Sequence, residues 1–149
     1  MIASKNVRII ATVIILFGLL FTLAGAATWL TVRSALADEH ITVSKDAASF
    51  GGKSVTGPLT AYAQAEIIKE HALKATGGKT YAQLDREDPV RQTAMTASFL
   101  RASLFTSVVA FGVAAMAIGL GLVLILIGFV VLKAAEGFAS LSRRAPTAL

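Results

Sequence analysis

Two runs without a single charged residue constrain this chain more than anything else in it. The first, Ile9–Leu30, has 22 residues; the second, Ala102–Leu132, has 31. A helix rises about 1.5 Å per residue, so the shorter run reaches about 33 Å. That is enough for a hydrocarbon core about 30 Å thick. Charged residues make up only 15% of the chain, against about 25% in soluble domains. Both runs therefore read as membrane spans, the second with its buried part near residues 107–131. A secretory signal is the competing reading of the first. Lys5 and Arg8 precede it, and Ala35-Leu36-Ala37 fits a cleavage site. Its 22 uncharged residues exceed the 7–15 of a signal core, which favours an uncleaved anchor. Trp29 suits the outer interface of that anchor.

Orientation follows from the tails. Residues 1–8 carry Lys5 and Arg8 and no acid, while residues 133–149 carry Lys133, Arg143 and Arg144 against Glu136. Residues 31–101 carry nine Lys/Arg and eight Asp/Glu, close to neutral. Short positive flanks set topology, so both tails are expected in the cytoplasm and residues 31–101 outside the plasma membrane. The net charge of +5 then reflects topology, and no nucleic-acid partner is expected. Neither span contains Asp, Glu, Lys, Arg or His, which speaks against a proton relay or an intramembrane haem ligand.

Both spans carry small residues at helical spacing: Gly18, Thr22 and Gly25 in the first, Gly112, Ala115 and Gly119 in the second. Such stripes let backbones approach closely. They are expected to pair the spans as an antiparallel hairpin or to dock them on a partner. With 27 Ala and 12 Gly in the chain, chance spacing competes with that reading.

The segment between the spans reads as a small α(+β) domain. Alternation at Ile41 and Val43 and the turn at Gly51-Gly52 predict short strands within about 40–57. Residues 59–76 predict a helix capped by Thr60, stopped by Gly77-Gly78 and docked through Ala61, Ala65, Ile68, Ala72 and Ala75. Glu70 and Lys74 are spaced as an i,i+4 pair. Thr80-x-x-Gln83 has capping-box spacing, predicting a helical turn at 80–86. Asp88-Pro89 opens a long helix that continues as the second span to Leu132. The C-terminal tail is expected to stay helical to about Ser140, with Arg143-Arg144 near the inner leaflet.

Little in the residues points to chemistry. There is no Cys, so no thiol nucleophile and no disulfide. His40 and His71 are 31 residues apart, without metal-ligand spacing, and read as solvated surface residues. Asp85, Glu87 and Asp88 adjoin a helix start, where acids complement the helix dipole. Gly51-Gly52-Lys53-Ser54 lacks the first glycine of a phosphate-binding loop. No cofactor, metal or catalytic residue is expected.

The run TGGKTYAQLDREDP, within a longer stretch from Gly57 into the second span, resembles a group of small two-span membrane proteins of actinobacteria. The resemblance covers residues 9–132 and implies an envelope protein. Members sometimes carry an inherited label of aromatic ring-opening dioxygenase. Extradiol cleavage needs Fe(II), commonly on two His and a carboxylate, and the sequence has no motif for it. The expectation is a non-catalytic accessory or scaffold subunit of a larger membrane complex, respiratory or envelope-building. The alternative is a stand-alone module that binds a ligand outside the membrane.

Overall fold

The computed structural model describes residues 2–144, and side chains within 5–137. The chain is mainly helical: α1 (Ile2–Asp38), α2 (Pro58–Ala75), a single 3-10 turn (Tyr81–Gln83) and α3 (Arg91–Arg144). The described residues fall into two compact units, one made of residues 2–27 with 114–144, the other of residues 28–113.

In the first unit α1 and α3 run antiparallel. Gly18 faces Gly121 and Ile125, Gly25 faces Ala114 and Ile118, and Gly128 faces Ala11 and Ile15. Rising numbers on one helix meet falling numbers on the other. Both helices are long and apolar enough to cross a membrane. Their most apolar windows are only 17% and 11% buried. The core helix of a water-soluble protein would be mostly covered; here Leu23, Met116, Leu126 and Val130 are among many large apolar side chains facing outward.

α1 runs eight residues past Leu30, because Thr31–Asp38 loses hydropathy without losing helix formers. Leu36, the centre of the cleavage-like tripeptide, is buried. α3 begins at Arg91, three residues after Asp88, whose Oδ1 accepts from the Val90 N–H at 3.0 Å. It extends past Ser140 to Arg144; the rest of the expected tail, 145–149, lies outside the described residues, as do the Arg143 and Arg144 side chains.

The second unit is built on a cluster of Leu36, Val43, Val55, Ala61, Ala65, Leu104 and Phe111. Trp29 meets Phe111 edge-on, 4.7 Å between ring centroids. Residues 40–57 form no strand. One antiparallel bridge joins Thr42 and Ser54, and backbone bonds tie Val43 N to Lys53 O (2.9 Å) and Val55 N to Ile41 O (2.8 Å). The expected strands fail because the Ser- and Gly-rich run between them leaves only Val43 and Val55 to bury. Both are 1% exposed in the cluster, so the segment packs as a loop pinned by two valines.

The cap of α2 is Gly57 rather than Thr60. Pro58 takes the first helical position, where its missing N–H costs nothing. Thr60 Oγ1 instead accepts from the N–H groups of Thr56 and Gly57 at 3.2 and 3.3 Å. At the other end Gly77 and Gly78 adopt φ of 62° and 84°, and Gly78 N donates to Leu73 O at 2.7 Å. This left-handed closure is available to glycine at no steric cost. The turn at Tyr81–Gln83 is shorter than the expected 80–86; Gln83 Oε1 accepts from Thr80 N at 2.9 Å.

Candidate functional site

The seam of the first unit brings the backbones of α1 and α3 close together at four glycines. A Cβ added at Gly18 would stand 2.7 Å from Gly121 O and 2.7 Å from Ile125 Cγ1. One added at Gly121 would stand 2.6 Å from Gly18 O. Real side chains do not occupy such space, so glycine is required where the backbones touch. Thr22 lies on the same face; its Oγ1 donates to Gly18 O within its own helix at 2.8 Å.

The stripe expected on the second span is placed differently. Gly112, Ala115 and Gly119 are exposed, and space around Gly112 and Gly119 is open. The face of α3 turned to α1 carries Ala114, Ile118, Gly121, Ile125 and Gly128. An Ala- and Gly-rich helix offers small residues on several faces, so small-residue spacing on one helix does not select among them. Reading both helices together would have. Ala11, Gly18 and Gly25 recur every seven residues in α1, and Ala114, Gly121 and Gly128 recur every seven in α3. Two matched repeats at the coiled-coil period define one mutual seam.

In the second unit, polar side chains fasten α2 to its surroundings. Arg101 Nε donates to Ala65 O at 3.1 Å. Its guanidinium lies 3.6 Å from the Glu66 carboxylate and 5.5 Å from the Phe105 ring centre. Tyr62 meets Phe105 edge-on at 5.8 Å. Gln64 Oε1 accepts from Ser44 N at 2.9 Å, holding the loop against the helix. Arg91 stacks on Tyr81, 4.2 Å from the ring centre, and donates to Leu84 O.

His71 is not a free surface histidine. Its Nε2 lies 2.7 Å from Asp46 Oδ2, bridging α2 to the loop. The hydrogen bond from His71 lowers the Asp46 carboxyl below its ordinary value, and the nearby charge of Lys74 acts in the same direction. Glu70 and Lys74 do not form their i,i+4 pair; Glu70 has no ion-pair partner among the described residues. His40 sits at φ 51°, its N–H bonded to Ala37 O at 3.1 Å, and closes α1. Among the described residues no three His, Asp or Glu side chains converge as metal ligands.

Depressions flank α2 on more than one side. An open groove of about 470 Å³ has Ile68, His71 and Ala72 on one wall and Thr93, Thr96 and Leu100 on the other. A smaller cavity of about 250 Å³ is lined by Phe50, Leu59, Tyr62, Glu66, Ile67 and Glu70. Sequence spacing gives neither, because each needs residues from separate segments. Comparison with protein-family models, curated proteins and solved structures finds no match for the chain.

Proposed function

We propose that the chain is an accessory subunit of the plasma membrane, anchored by two helices and docked on a larger membrane complex. In this reading both termini are cytoplasmic, the loop and α2 lie outside, and the subunit does no chemistry of its own. One observation carries it: the two helices close on each other through one seam, while Ala115 and Gly119 stand exposed on another face of α3. Lipid gives no hydrophobic drive between helices, so a smooth small-residue face suits close approach by another helix. A respiratory or envelope-building assembly is the expected kind of partner.

The test is co-purification in mild detergent from the native host. Wild type is expected to bring down a reproducible stoichiometric set of membrane subunits. Gly119→Leu is expected to lose them while keeping its own fold. Recovery of the chain alone would sink the accessory reading. Topology is testable separately because the chain lacks Cys. Ser49→Cys is expected to react with an impermeant maleimide on intact cells, and Ser4→Cys only after lysis.

The cavities beside α2 favour a second reading, a ligand-binding module held at the membrane.

A further inference from the structure

We propose that the 250 Å³ cavity beside α2 binds a small organic cation, an alkylated ammonium compound of about the size of choline. The inference rests on the ligand-binding reading and is independent of the accessory one.

Three features meet there. The first is aromatic surface: Phe50 and Tyr62 line the cavity, and both are partly exposed. The negative face of an aromatic ring attracts a cation, most strongly where water is thinned out. Phe50 already demonstrates this, since Lys53 Nζ stands 5.6 Å from its ring centre. The second is uncompensated charge. Glu66 and Glu70 both line the cavity, and no Lys or Arg does. Glu66 is engaged by Arg101, while Glu70 has no ion-pair partner among the described residues and brings its carboxylate to the cavity, with Lys53 held on the Phe50 ring. The third is backbone strain. Phe50 has φ 61°, a conformation unfavourable for a bulky residue. Strain of this kind persists only where surrounding contacts impose it, and it gathers at binding sites.

Together these features select the ligand. Leu59 and Ile67 supply apolar walls, which disfavour a strongly hydrated metal ion. The carboxylates disfavour an anion and also a zwitterion whose phosphate would lie near them. An ammonium clothed in methyl groups satisfies walls, rings and charge at once. The volume admits a head group of a few heavy atoms.

The test is isothermal titration calorimetry of the full-length protein in a non-ionic detergent. The probes are choline, phosphocholine and 3,3-dimethyl-1-butanol, the neutral isostere of choline. Choline is expected to bind, with the neutral isostere at least tenfold weaker and phosphocholine weaker than choline. Glu70→Gln is expected to reduce choline affinity about tenfold, and Phe50→Leu to reduce it several-fold. Equal binding of choline and the isostere would overturn the cation claim while leaving a ligand pocket in place. No binding of any probe would overturn the claim for this cavity and leave the ligand-binding reading to the open groove on the other side of α2. Phosphocholine binding at least as tightly as choline would also overturn it, pointing to a lipid head group instead. The wild-type comparison of probes decides the matter even if a variant fails to fold.

Discussion

The two units hold together by different means. In the unit of residues 2–27 and 114–144, Gly18, Gly25, Gly121 and Gly128 let each backbone approach the other helix's backbone, with Ile15, Thr22, Ile118 and Ile125 packed into the space they leave. In the unit of residues 28–113, side chains interlock around Phe111, Val43 and Val55, and Arg101, Gln64 and His71 add polar fastenings. The contrast follows from the surroundings each is suited to. Lipid tails are as apolar as leucine, so helices there gain from close approach and dispersion rather than from hiding apolar area. In water, burying area drives assembly, and each buried polar group needs a partner.

The sharpest way to break the comparison is at the seam. Gly121→Leu forces a large side chain against Gly18 O and Thr22. It is expected to cost about 3 kcal/mol, the upper part of the range for overpacked sites. Gly119→Leu, two residues away in open space, is expected to stay within about 0.5 kcal/mol. Thermal unfolding of the two variants in detergent checks the pair. Equal losses would mean that the face of α3 is wrongly assigned.

A smaller effect is expected at the polar fastening of the second unit. Arg101→Lys keeps the charge but loses the fork that reaches Ala65 O and Glu66 together. The groups are partly exposed, so the cost is about 1 kcal/mol after allowance for solvent screening. Faster amide exchange confined to α2 and its loop is the expected signature. Of similar size is Gly78→Ala. At φ 84° a Cβ is strained, which costs about 1 kcal/mol and loosens the end of α2.

The smallest effect is electrostatic. Asp46 has a depressed value in the folded protein, so its contribution is present above the carboxylate's ordinary 3.8 and disappears as pH falls through the lower folded value. Carbon-detected titration is expected to show Asp46 moving up toward 3.8 in His71→Ala. No change would mean that the contact at 2.7 Å does not persist in solution.

The two long apolar helices were legible because twenty or more uncharged residues leave a chain few other choices. The ends of α2 were legible in part: Gly77-Gly78 stops it as read, but Pro58 takes the first helical position and puts the cap at Gly57, three residues ahead of Thr60. What escaped was pairing. Hydropathy marks Leu30 as the end of a span, yet the helix continues to Asp38 because Arg33, Ser34 and Ala35 are content in a helix. The bond between His71 and Asp46 crosses 25 positions, and that between Arg101 and Ala65 crosses 36; no local pattern announces either. The stripe of Gly112, Ala115 and Gly119 does not face α1, and the face that does escaped for the same reason. A stripe on one helix has meaning only beside the stripe it meets.

The most direct test of the account is disulfide crosslinking of paired helices in native membranes, on a chain that starts with no Cys. Thr22→Cys is combined with Ile118→Cys, whose native side chain packs on Gly25 one turn away, or with Gly119→Cys on the exposed face. Efficient intramolecular oxidation of the 22/118 pair, with little for 22/119, is the expected result. Equal crosslinking of both pairs, or crosslinks only between separate chains, would contradict the glycine seam between the two long helices.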